Sequence, residues 1–130
     1  MKLSRMLFFV LVLFLLDQLI KSFFVTQGQM GSLIVYNQGI SFSLLSQFPW
    51  RSILPFVLFL LIGFFLQKQS YGMALLIAGG LSNLADRLWR GGVVDFIDLK
   101  IIPVFNLSDL LISMGCILTL IELIKQEIKE

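Results

Sequence analysis

Four long apolar runs joined by short polar stretches set the limits on how this chain can fold. The first, about residues 5–25, is unbroken from Met6 to Leu16 and continues through Asp17 and Lys21 to Val25. About 20 helical residues cover roughly 30 Å, the thickness of a bilayer's hydrocarbon core. The others occupy about 52–67, 71–89 and 107–125. Lys2 and Arg5 before the first run resemble the start of a signal peptide, but no small-x-small cleavage pattern follows, so the run reads as a retained span. Apolar residues make up 58% of the chain and charged ones 14%, against about 45–50% and about 25% in soluble domains. The expectation is an all-α membrane protein of four transmembrane helices, forming one membrane-embedded domain over residues 1–130.

Several function classes drop out. Ten basic and eight acidic residues, with no block of either sign, argue against nucleic acid as a partner. Histidine is absent and Cys116 is the one cysteine. That excludes a zinc site built from His and Cys, a disulfide framework, and a Ser-His or Cys-His nucleophile pair. Any hydrolysis must rest on carboxylates, serines or lysines, and no metal or cofactor is expected. Cys116, inside an apolar run, is expected to be a small packing residue.

The connections differ in kind. Residues 26–50 break the helical pattern: Leu33–Tyr36 is β-prone, Asn37-Gln38-Gly39 is turn chemistry, and Ile40, Phe42 and Leu44 alternate with serines. This reads as a small β-hairpin resting on the helices or the lipid surface, with Trp50 as an interface anchor. Gln67–Ser70 is a tight turn. The third span becomes polar along its length, from Ala78, Gly79, Gly80 and Ser82 to Asn83, Asp86 and Arg87. Its small residues allow another helix to approach closely. Four spans put both termini on one side, and the hairpin and the 90–106 loop on the other. Basic residues divide five against five between the sides, so charge does not orient the chain.

The loop Gly91–Asp109 delivers Asp95 to a membrane boundary and Asp109 into the first turn of the fourth span. An ionised carboxylate costs roughly 2.5–3.5 kcal/mol at a helix centre on insertion scales, so two in one place require a reason. Asn106 followed by Asp109 also fits a helix cap with an acid at its third position, which alone would explain that residue. Asp17 and Lys21, spaced i,i+4, read as a salt bridge near the membrane surface, where Lys21 can snorkel, or less simply as catalytic groups. Asp86 fits a structural ion pair or helix-end network with Arg87 and Asn83. Asp98, close to Lys100, reads as solvated. Two adjacent aspartates at low dielectric share one proton near neutral pH and can activate a water, the chemistry of an aspartic protease.

Five blocks then stand out: DQLIK at 17–21, YNQGISF at 36–42, GGLSNLADR at 79–87, VVDF at 93–96 and FNLSD at 105–109. In this order, on a four-span pattern, the sequence resembles lipoprotein signal peptidase (signal peptidase II), a bacterial intramembrane aspartic protease family. The resemblance implies that Asp95 and Asp109 are the catalytic dyad. It also implies that Asn37, Gly39, Asn83, Arg87 and Asn106 line or support the substrate site. Asp17, Lys21 and Asp86 are left as structural polar residues, and residues 26–50 as an extracytoplasmic β-cradle between the first two helices. The implied activity is removal of the signal peptide on the N-terminal side of a diacylglyceryl-modified cysteine in prolipoproteins. The implied setting is the bacterial cytoplasmic (inner) membrane, crossed several times, with both termini cytoplasmic and the site near the outer face. The partners would be that precursor and membrane lipid, with a monomer as the working unit. Where the family usually has Gly and Ala, this chain has Ser82 and Ser108. The competing expectations are a non-enzymatic channel or transporter subunit, a structural partner in a larger complex, or a specialised paralogue with another substrate.

Overall fold

The computed structural model describes residues 1–28, 34–37, 57, 60, 63 and 69–129. Most of the expected 26–50 hairpin, including Gly39 and Trp50, and most of the 52–67 span therefore lie outside the described residues. Within them run three continuous helices, α1 (Leu3–Gly28), α2 (Tyr71–Arg90) and α3 (Leu107–Glu127), and two short strands, β1 (Val35–Asn37) and β2 (Val93–Asp95).

The exposure pattern of α1 inverts that of a soluble helix. Phe8 and Leu19 are each 69% exposed, while Asp17 and Lys21 are fully buried. In water such an apolar surface would be driven to aggregate; facing hydrocarbon it costs nothing, and the charges must turn inward. α1 and α3 are both long and apolar enough to cross a membrane. The expectation that Lys21 snorkels is corrected: its ammonium points into the protein. Cys116 is also corrected, since it is exposed on α3 rather than packed inside.

α2 is the central helix, flanked by α1 and α3. It begins at Ser70, whose hydroxyl accepts from Met73 N–H, and ends at Gly91 in the left-handed region, where a glycine carries no Cβ penalty. It lies parallel to α1: the Met1 amino group donates to Gln69 O near one end, and Gln18 donates to Ser82 and Asp86 near the other. α3 runs back antiparallel to α2, backbone against backbone. A Cβ on Gly115 would lie 2.8 Å from Gly72 O and from Leu76 N, and one on Gly79 only 2.6 Å from Ser108 O. Neither obstacle is a flexible side-chain end, so the helices must separate. Gly115→Ala and Gly79→Ala should each lose at least the roughly 1–3 kcal/mol of an overpacked site, read as lowered thermal unfolding temperature in detergent.

Along the bundle axis the interior divides in two. Met6, Val10, Ala74, Leu75, Ala78 and Leu111 form an apolar cluster. Beyond it, about two turns further along α1 and one turn further along α2, the interior is polar. β1 and β2 cap that polar end as a two-stranded antiparallel sheet pairing Val35 with Asp95, Tyr36 with Val94 and Asn37 with Val93. Asn37 is thus a strand residue, and its segment's partner follows α2. The pairing expected within residues 26–50 falls on residues outside the described ones.

Candidate active site

Three local devices bring the polar residues together. Asp86 on α2 accepts the Val94 N–H at 3.1 Å, pinning the middle of β2 and setting Asp95 beside the bundle. Ile97 and Phe105 then form an antiparallel bridge, with the Phe96 and Ile97 N–H groups donating to Phe105 O. Closing the chain there places Asp95 just before the bridge and Asn106 just after it. The Phe96 ring stacks on Phe24 of α1, which ties this turn down. Finally, Asn106 opens α3 with a capping box: its Oδ1 accepts Asp109 N–H at 2.9 Å, and Asp109 Oδ2 accepts Asn106 N–H at 3.2 Å. Ile101, 85% exposed, and Leu99 lie at the tip of the intervening loop.

The two expected aspartates meet at Asn106. Its Nδ2 donates to Asp95 Oδ1 at 2.7 Å, while its backbone N–H reaches Asp109. Asn83 completes the arrangement, donating from Nδ2 to Asp109 Oδ1 at 3.1 Å and accepting from Asn106 Nδ2 at 3.3 Å. The cap expected for Asp109 is therefore present, and its capping residue, Asn106, is also the donor to Asp95. Asp95 is 3% exposed and Asn106 fully buried. Arg87, 8% exposed, lies within Coulombic reach of Asp109, Asp86 and Asp95. Asn37 reaches the sheet edge opposite Val93. Asp98 is a surface residue whose carboxyl is held below the usual carboxylate range by hydrogen bonds from the Lys100 ammonium and backbone N–H, so its charge is satisfied locally.

Beneath this pair lies a second cluster. Lys21 Nζ is 2.8 Å from Asp17 Oδ2 and 2.9 Å from Asp86 Oδ2. Asp86 also pairs with Arg90, one turn on, so its ion pairs reach further than the neighbouring Arg87 expected from sequence. Adjacent helical residues diverge, whereas i,i+4 residues share a face. Gln18 donates to Ser82 and Asp86 and accepts from Arg90. Ser82 and Ser108 both donate to Asp17 Oδ2. Sequence reading missed Gln18, Ser82, Ser108 and Arg90 as members. The Asp86–Arg90 spacing was a usable signal; the serines, being small and polar, carried none. Asp17 Oδ1 has no hydrogen-bond partner among the described residues, so Oδ2 carries the anchoring. Ser82→Ala and Ser108→Ala should each lower stability by about 1–2 kcal/mol, the upper range for hydrogen bonds between membrane helices, in chemical unfolding of detergent-solubilised protein. Among the described residues no group of three or more His, Cys, Asp or Glu could hold a metal ion.

This geometry coincides with a family signature: the model of signal peptidase (SPase) II matches residues 9–125. The chain belongs to the signal peptidase II family. It is 35% identical to the lipoprotein signal peptidase of Caldicellulosiruptor bescii, over 87% of this chain and 86% of that protein. It is 34% identical to the lipoprotein signal peptidase of Streptococcus pneumoniae, over 92% of each. Two solved bacterial membrane enzyme structures, determined by the in meso method, share its fold at TM-scores of 0.74 and 0.75 with 26% identity, covering 96% and 95% of this chain and 90% and 94% of theirs. Membership of the signal peptidase II family makes the chain a peptidase, and the outward-facing apolar helices make it a membrane protein.

Proposed function

We propose that this signal peptidase II is an aspartic endopeptidase that cleaves diacylglyceryl-modified prolipoproteins on the N-terminal side of the lipidated cysteine. The observation that carries the reading is the attachment of both Asp95 and Asp109 to one buried residue, Asn106. The charge balance supports a shared proton. Among the described residues at this end of the bundle three cations, Lys21, Arg87 and Arg90, face four carboxylates, Asp17, Asp86, Asp95 and Asp109. One proton makes the set neutral. The cluster beneath is already paired, Lys21 and Arg90 against Asp17 and Asp86, so the proton falls to the dyad.

The ionised member takes a proton from water as the water oxygen bonds to the scissile carbonyl carbon. The protonated member gives its proton to the carbonyl oxygen. The tetrahedral diol then collapses: the C–N bond breaks, the nitrogen leaves with a proton from the aspartic acid that took one from water, a diol hydroxyl returns its proton to the other aspartate, and the signal peptide departs with a new carboxyl group. Asp109 accepts from Asn83 and Asn106 and stands in the first turn of α3, which fixes its carboxyl in place. Asn37, Gly39 and Arg87 would border the bound peptide.

In this reading residues 1–130 form one domain of four spans, with residues 26–50 as the cradle over the site. Val57, Leu60 and Gly63 are helical, in keeping with a span there. Both termini would be cytoplasmic and the dyad near the outer face of the inner membrane, working as a monomer in contact with lipid. The test is processing by the chain reconstituted in liposomes. A precursor carrying the diacylglyceryl cysteine should be cut before that residue, and the same precursor with cysteine replaced by serine should not. Equal cleavage of both would refute the lipid requirement.

A further inference from the structure

Lys21 is fully buried, yet its ammonium does more than neutralise Asp17. Besides Asp17 and Asp86 it reaches Asn83 Oδ1 at 2.9 Å on α2 and Ser108 Oγ at 3.2 Å on α3, the residue preceding Asp109. An ammonium can only donate, so the Asn83 atom facing it must be the oxygen. The Asn83 nitrogen is then turned the other way, where Asp109 Oδ1 lies 3.1 Å off. The opposite orientation would set an NH2 group against the ammonium and against Asn106 Nδ2, and an oxygen against the Asp109 carboxylate. Asn106 is oriented in the same sense from its other side, because its Oδ1 is taken by Asp109 N–H. Its nitrogen therefore serves Asp95 Oδ1 and Asn83 Oδ1.

We propose that Lys21 is a positioning residue for the dyad: by holding Asn83 Oδ1 it aims the Asn83 amide donor at Asp109. The proposal rests on the dyad reading above and extends it to a residue that sequence reading favoured as structural. Lys21, with no exposed surface, acts on turnover through Asn83. Substrate affinity is set elsewhere.

The experiment is a kinetic cycle on the full chain in liposomes with the lipidated precursor: wild type, Lys21→Met, Asn83→Ala and the double variant, each normalised to folded protein. Lys21→Met should lower kcat by about tenfold or more with KM within about twofold of wild type. On the Asn83→Ala background the same change should lower kcat by less than about twofold, because its target is gone. A Lys21→Met enzyme with wild-type kcat overturns the proposal, as does an equal loss on both backgrounds. Where Lys21→Met fails to accumulate, Asp17→Asn with Lys21→Met removes one charge of each sign, and the same cycle is run from it. A failure of the dyad reading itself is seen separately, as processing by Asp95→Asn or Asp109→Asn at the wild-type rate.

Discussion

Asp95→Asn and Asp109→Asn should each lower precursor processing by about 10³–10⁴-fold while the protein remains folded. Asparagine keeps the size of the side chain but can neither carry the negative charge nor pass a proton. At position 95 an amide oxygen can still accept from Asn106 Nδ2, and at position 109 it can still accept from Asn106 N–H. At position 109 the NH2 group that replaces Oδ1 faces the Asn83 Nδ2 donor, so the bond from Asn106 survives there and the bond from Asn83 is lost. The charge balance adds a second expectation. With four carboxylates facing three cations among the described residues, removing one of the dyad acids leaves those charges matched without a proton. The unfolding temperature of Asp95→Asn should therefore equal or exceed that of the parent, measured on the same preparation as the rate, and Asp109→Asn should gain less because it gives up the bond from Asn83.

Asp86→Asn should have the reverse signature. Asp86 is fully buried and lies against Lys21, Arg90, Gln18 and the Val94 N–H. Neutralising it leaves two cations with Asp17 as their remaining partner in the lower cluster. Breaking a buried pair from one side costs about 3–5 kcal/mol, because the abandoned charge stays buried. The expected result is a large drop in unfolding temperature and in protein level. Rate per folded molecule should fall far less than in the Asp95 variant. A stable Asp86→Asn enzyme without activity would move this residue into the chemistry.

Much of this arrangement was legible in the residues. The spans expected at about 5–25, 71–89 and 107–125 correspond to α1, α2 and α3, because an apolar run of that length has few alternatives to helix. The Asn106–Asp109 cap could be read from spacing, since the capping box is a local interaction. The Asp17–Lys21 pair could be read for the same reason. What escaped was set by contacts distant in sequence. Nothing local says that Lys21 turns inward, since snorkelling and burial differ only in what the neighbouring helices offer. Asp86 was matched with Arg87 when its geometry favours Lys21, 65 residues earlier, and Arg90. The pairing of Val35–Asn37 with Val93–Asp95 joins segments separated by two helical regions, and strand preference names no partner. The close approach of α2 to α3 was foreshadowed by Ala78, Gly79 and Gly80, although the contact also uses Gly72 and Gly115.

The shared proton can be observed directly. Infrared spectra of the membrane-reconstituted protein, with carboxyl-labelled aspartate to isolate the signal, should contain one protonated aspartic acid at neutral pH. That band should vanish in both Asp95→Asn and Asp109→Asn, because the surviving carboxyl of each variant is then matched by the cations and ionises. A wild-type spectrum without the band, or a band that persists in both variants, would contradict joint ownership of one proton by Asp95 and Asp109.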